Sequence, residues 1–226
     1  MIAGKRICLF AVVARNCALA PLPAIADDLL PLLLPYRDLA AVVAPAEPSP
    51  LPHTSDRLLR HEHFIETLMT QTPALPMRYG TVLDSVEIVL DQLATGYALL
   101  KSDLTRLAQC VEFQLRIQWD PRAILTKAGT AHSPNGTDPA PGDALRAQAL
   151  ALETWLRDNI GAVASDITTT LLATDVLPVR ATVLVHRADL AALLKRVTYM
   201  QFERPDFEIT FSGPWPPYDS VNYRFG

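Results

Sequence analysis

Cysteine is scarce in this 226-residue chain. Cys8, Cys17 and Cys110 are an odd number without CxxC spacing, which argues against a disulfide framework and for a reducing compartment where free thiols behave as small hydrophobes. Long apolar runs are lacking too: no window reaches the ~18 uninterrupted apolar residues of a membrane helix. The richest stretch, "LLPLLLPY" at 29–36, is broken by Pro31 and Pro35 and reads as a packed connection. No basic stripe is present, and with a net charge of −4 and a pI near 5.7 nucleic acid is not an expected partner. A nucleophile elbow, a phosphate loop and HExxH spacing are all missing, so the expectation is no enzyme, no cofactor and no metal.

What is present is a strongly apolar composition, 50% hydrophobic, enough for one large or two small cores. Lys5-Arg6 before "ICLFAVVA" and a later "ALA" imitates a secretory leader. Arg15 and Asn16 interrupt the run, however, and its β-branched and aromatic content predicts a first strand over 6–13. A second strand is predicted over 38–44. "TSDRLLRHEHFIETLMTQ" has helical apolar spacing, with Thr54, Ser55 or Asp56 as N-cap and Pro73 as its stop. "ALPMRYGTVL" is short and extended with Gly80 as a breaker, and from Asp84 or Ser85 one long helix is predicted to about Leu107.

The clearest strand is "CVEFQLRIQWD", in which Val111, Phe113, Leu115, Ile117 and Trp119 alternate with polar residues, the period of a sheet with one wet face. Residues 126–143 lose periodicity and concentrate Gly, Pro, Ser, Asn and Asp, predicting a mobile loop or linker. Beyond it come a helix from Ala144 to about Leu172, a strand in "PVRATVLVH", a helix in "RADLAALLKRVTYMQ" and a strand in "DFEITFSG". This mixture predicts an α+β fold in two lobes, the C-terminal one ferredoxin-like or a variant of it. The expected divisions are an N-terminal domain at 1–122, a linker at 123–143 and a C-terminal domain with a terminal tail at 144–226.

The side chains that draw notice each have a structural reading. His61 and His63, with His53 nearby, are two apart on a helix and point in different directions, a poor metal set. Glu62 and Glu66, at i and i+4, read as a solvated face. Arg78 lies among apolar residues and reads as a buried arginine organising the turn before the next helix, with anion binding as the alternative because a helix N-terminus follows. In "FEITFSGPWPPYDS", Gly213 permits a sharp turn while Pro214, Pro216 and Pro217 remove donors, so the strand is expected to stop or become an unpaired edge. Trp215 and Tyr218 on that stiff backbone are expected to clamp the C-terminal lobe or to anchor another protein, the clamp being favoured.

Two of these stretches resemble a known family. "GPWPPY", Gly213 to Tyr218, is similar to the closing signature of the GvpF/GvpL gas vesicle accessory proteins. "LPMRYGTVL", 75–83, is similar to the family's Leu-Pro-x-Arg-Phe/Tyr-Gly-Thr-Val element, with Arg78, Tyr79 and Gly80 in place, and follows a His-bearing helix as in the family. The likeness runs nearly the whole chain; the 126–143 loop and the tail "DSVNYRFG" are individual to it. The resemblance implies two α+β lobes, the second related to a ferredoxin fold. It implies a non-enzymatic, cytoplasmic, vesicle-associated protein needed to build gas vesicles, binding the hydrophobic shell protein or other accessory proteins. An anion- or small-molecule-binding α+β module is the alternative.

Overall fold

The computed structural model describes residues 5–17, 30–46, 54–120, 122–124, 126, 141–172, 176 and 178–225. The chain forms two units, Met1–Cys110 together with Pro216–Gly226, and Val111–Trp215. Divisions at 122 and 143 therefore do not describe it. All but the first residue of the clearest strand belong to the second unit, where its pairing partners are, and the closing segment returns to the first.

In the first unit β1 (Ile7–Ala14) is the axis of a five-stranded sheet. It pairs antiparallel with β3 (Leu39–Pro45) on one side and with β4 (Ala74–Pro76) and β5 (Val82–Leu83) on the other; β2 (Leu32–Tyr36) lies outside β3. Ile7 to Val13 are all buried, which is why the run is continuously apolar: both faces are covered. On one face Cys8, Phe10, Val13, Ala40, Val42 and Ala44 share a core with Phe64, Ile65 and Leu68 of α1 (Ser55–Gln71). Helix α1 is capped by Thr54. The alternating residues Leu39, Ala41 and Val43 lie on the other face, where α2 (Val86–Thr95) and α3 (Tyr97–Arg106) contact β1 to β4.

Two expectations change here. Leu32–Tyr36 is a strand despite Pro31 and Pro35, because an edge position needs no donor on its outer side. Its turn is held by Asp38, which accepts from the Tyr97 hydroxyl and from Lys101 Nζ at 2.7 Å. Those two bonds keep its carboxyl down at about 2. The single long helix over 84–107 is broken at Gly96 into α2 and α3. A Cβ on Gly96 would meet the Tyr223 ring at 2.7 Å, so the break is where an aromatic from the tail presses on the backbone.

The second unit has a sheet ordered β7-β8-β6-β9, from β6 (Cys110–Trp119), β7 (Asp166–Leu171), β8 (Val179–His186) and β9 (Phe207–Trp215). Helix α4 (Pro141–Ile160) follows β6. A short 3-10 turn at Arg187–Asp189 leads into α5 (Leu190–Glu203) after β8. The order β6-α4-β7-β8-α5-β9 is the split β-α-β of a ferredoxin-like fold, with the sheet running second, third, first, fourth. Val111, Phe113, Leu115, Ile117 and Trp119 all enter its core with Leu152, Leu156, Leu193 and Met200 of the helices, as the alternation requires.

The helix expected from Ala144 to Leu172 runs instead from Pro141 to Ile160, and β7 follows. A Thr168–Thr170 run favours a pleated strand. Arg157 pins it to α4, donating to the Ile167 carbonyl at 3.0 Å and to Thr169 Oγ1 at 2.7 Å. Most of the expected 126–143 loop lies outside the described residues.

Strand β9 passes through the Gly-Pro pair. It is an edge, yet Trp215 still pairs with Glu112, with a register shift between Glu112 and Gln114. Gly213 has φ 132, and a Cβ there would stand 2.8 Å from the Glu112 carbonyl oxygen and from the Phe113 ring. Phe113 is 1% exposed and stacks on Phe211 at 4.4 Å, whereas Trp215 is 41% exposed. Phe113→Ala is therefore expected to lower unfolding free energy by ~3–5 kcal/mol in urea titrations. Trp215→Ala should cost about 1 kcal/mol or less; equal losses would contradict this packing.

Candidate functional site

The motif "LPMRYGTV" forms a loop standing off one edge of β1. Leu75 and Pro76 pair in β4, Met77 N donates to the Phe10 carbonyl at 2.8 Å, and Leu9 N donates to the Thr81 carbonyl at 2.9 Å. Both ends of the loop are thus tied to β1. Its inside is closed by Thr81, whose backbone N–H and Oγ1 both donate to the Arg78 carbonyl, and by Gly80 at φ 85. Arg78 and Tyr79 stand at the tip.

The second motif comes to this loop by way of the returning segment. Pro216 and Pro217 are buried, Tyr218 packs against the α1 core cluster, and Asp219 forms an ion pair with Arg78 Nη2. The Arg78 side chain is 67% exposed, which corrects its reading as a buried arginine: its carbonyl organises the turn while its guanidinium reaches over the surface to the tail. Neither aromatic clamps the C-terminal lobe as expected: Tyr218 packs in the first unit, and Trp215 remains half-open at the end of β9.

Between the motifs lies His61 of α1, 4% exposed. Its ring is edge-on to Tyr79 at 5.6 Å, stacked with Tyr218 at 6.4 Å and tilted against Phe10 at 5.9 Å. Nε2 lies 2.9 Å from the Met77 carbonyl oxygen. Because a carbonyl only accepts, Nε2 carries the proton and Nδ1 is a bare acceptor, without a partner among the described residues. Burial holds the imidazole below its ordinary 6.5, against the opposing pull of the Met77 carbonyl. The ring is therefore a neutral packing element that joins helix, loop and tail.

The neighbouring side chains differ from expectation in one respect. His63 is exposed and points away, as their spacing requires, and His53 lies outside the described residues. Glu62 is not on a freely solvated face: it is half-buried with Oε1 unpartnered among the described residues. Burial first, and then Glu66, push its carboxyl up from 4.5. Among the described residues no group of three His, Cys, Asp or Glu stands together.

The residues that fix the tail were missed. Asp103 of α3, 1% exposed, accepts from Arg106 Nη2 at 2.8 Å, from the Asn222 backbone N–H at 2.7 Å and from Asn222 Nδ2 at 2.7 Å. Arg106 also donates to the Ser220 carbonyl, and Tyr223 donates to Gln92 Oε1 at 3.0 Å. Arg224 donates to the carbonyls of Tyr218 at 3.0 Å and Asp219 at 3.1 Å. Asp103 was readable, since it falls three after Leu100 and four before Leu107 on the helix's apolar stripe, where a carboxylate needs partners. Nothing local marks Asn222 as that partner.

These contacts have two measurable consequences. Because the His61 value is lower folded than unfolded, the unfolded chain takes the proton first on acidification. His61 then leaves stability unchanged above about 6.5 and removes it as pH falls below. Glu62, raised when folded, acts in the opposite sense, adding stability as pH falls through its folded value toward 4.5. The difference between wild-type and His61→Gln stability curves should isolate the first effect as an acid-side loss confined to the wild type; parallel curves would contradict it. Asp103→Ala, which removes the acceptor shared by Arg106 and both Asn222 donors but leaves those groups within reach of water, should cost about 1–3 kcal/mol. It should also speed amide exchange across 218–225; unchanged exchange there would show the tail is held by other means.

Comparison with known proteins bears on this arrangement. The family model "Gas vesicle synthesis protein GvpL/GvpF" matches residues 9–222, which takes in both motifs and Asn222. Gas vesicle protein F2 of Halobacterium salinarum is 22% identical over 194 residues, covering 84% of this chain and 80% of that one. Gas vesicle protein L2 of the same organism is 28% identical, covering 71% and 69%. Crystal structures of GvpF from Anabaena sp. PCC7120 and Microcystis aeruginosa share the fold, at 16% identity and TM-scores of 0.75 and 0.76, over 95% and 96% of this chain and 97% and 98% of theirs. With the match spanning the strand at the N-terminus, the Arg78 loop and the returning tail, this chain belongs to the gas vesicle synthesis protein GvpL/GvpF family.

Proposed function

We propose that this protein is an assembly factor or minor structural component of gas vesicles, which binds the hydrophobic shell protein, other accessory proteins, or both, and makes or breaks no covalent bond. The observation that carries this reading is the family match over 9–222, together with what the motif residues do. His61, Tyr79, Tyr218, Arg78 and Asp219 are engaged with one another in packing and pairing.

The physical logic is that shell subunits, too apolar to stay soluble alone, need a partner to cover them until they join the growing wall. Such a partner needs apolar contact area. Helix α5 offers Leu194 and Phe202, eight residues apart on one side, with Phe202 84% exposed, and Tyr199 beside them. No helix among the described residues is long and apolar enough to cross a membrane.

Deleting the gene should abolish or deform the vesicles, with loss of flotation as the readout. Normal flotation in a deletion strain without a redundant paralogue would overturn the proposal. Pull-down with the shell protein, comparing wild type and Phe202→Ser, tests the contact surface; equal recovery would move that surface away from α5.

A further inference from the structure

A cleft of about 320 Å³ opens in the first unit between the Arg78 loop and the returning tail. Its lining falls into two chemical kinds. Arg78 and Arg224 supply donors, while Met77, Tyr218 and Tyr223 are among the apolar and aromatic groups that supply the walls. Neither guanidinium is exhausted by the tail. An arginine has five N–H donors; among the described residues Arg78 pairs with Asp219, and Arg224 uses Nη1 and Nη2 on two carbonyls. Both guanidiniums line the cleft and keep N–H groups beyond those the tail uses, and arginine is better suited than lysine to pairing with a carboxylate.

Size narrows the occupant. The volume lies at the bottom of the range of ~300–1,000 Å³ for small-molecule and cofactor sites, so there is room for about one or two side chains. The walls favour an apolar or aromatic group next to the charge. The strap that forms one wall is itself a protein segment, with Asp219 on Arg78 showing that a peptide carboxylate fits this guanidinium.

We propose that this cleft is a recognition site for an acidic side chain carried next to an aromatic or large aliphatic one on a segment of a partner protein. The partner's carboxylate takes the free donors of Arg78 and Arg224, and its apolar neighbour lies against Tyr223 and Met77. This rests on the reading that the protein works by binding other proteins, but it names a surface distinct from the apolar side of α5.

The test uses the full chain, isotope-labelled, titrated with the peptide acetyl-Gly-Phe-Glu-Gly-amide, its Gln counterpart, and free 3-phenylpropionate. The expected result is amide shift changes confined to 76–81 and 218–225, with the Glu peptide binding about tenfold tighter than the Gln peptide. Arg224→Lys, which keeps the charge but loses the fork, should weaken the Glu peptide about tenfold as well. Amide exchange at Asn222 as slow in the unliganded variant as in the wild type reports that the tail is still docked on Asp103. If Arg224→Lys undocks the tail, Arg78→Lys read the same way replaces it. No shifts with the Glu peptide, equal binding of the Glu and Gln peptides, or shifts produced by 3-phenylpropionate alone each overturn the proposal. Failure here with intact shell-protein pull-down sinks the cleft and leaves the assembly role standing.

Discussion

A buried carboxylate is tolerable only when its lone pairs are filled, and Asp103 is filled largely by a segment more than a hundred residues away. The Asn222 backbone and side chain both donate to it, while Arg106 supplies the balancing charge and also holds the Ser220 carbonyl. Removing its partners leaves the carboxylate stranded in a dry site, which is costlier than never having buried it. The tail is thereby an obligatory part of the first unit, and everything that depends on its path follows: Tyr218 on His61, Asp219 on Arg78, Tyr223 against Gly96.

That dependence explains why two distant stretches form one site. The Arg78 loop is tied at both ends to β1, so its tip is held at one place along the sheet edge. The proline pair ahead of Tyr218 has few conformations to lose, so an aromatic delivered by it is ordered at small entropic cost. His61 lies where the two meet and accepts a single hydrogen-bond partner for the sake of stacking. Its preference for the neutral form is the electrostatic trace of that compromise. A site assembled in this way presents shape and a few fixed donors, which suits the binding role proposed for it.

The second unit is organised by other means. Its ferredoxin-like core is closed by the alternating residues of β6 and the apolar faces of α4 and α5, with Arg196 on Asn159 and Gln114 on Thr182 as polar ties between elements. Where this unit departs from regularity, at the Gly213 bulge of β9, the cause is local: the backbone approaches Glu112 and Phe113 too closely for any side chain. The exposed Trp215 beyond it is then a surface residue by geometry, despite a composition that suggested burial.

Elements whose signal is periodic were legible from residue order: β1 as a β-branched and aromatic apolar run, α1 with a cap among Thr54, Ser55 and Asp56, β6 by strict alternation, and the α+β class with a ferredoxin-like second lobe or a variant of it. Periodicity is a property of neighbours, and neighbours are what a sequence displays. Strand β2 was hidden because prolines look like breakers until the strand is known to be an edge, and β7 because three threonines were continued from the helix before them. The break at Gly96, the exposed Arg78 and the partnership of Asp103 with Asn222 belong to the folded chain alone. In each, the deciding atom is supplied by a residue 119 to 141 positions away or by a ring from the far end, and no local pattern encodes which distant group will arrive.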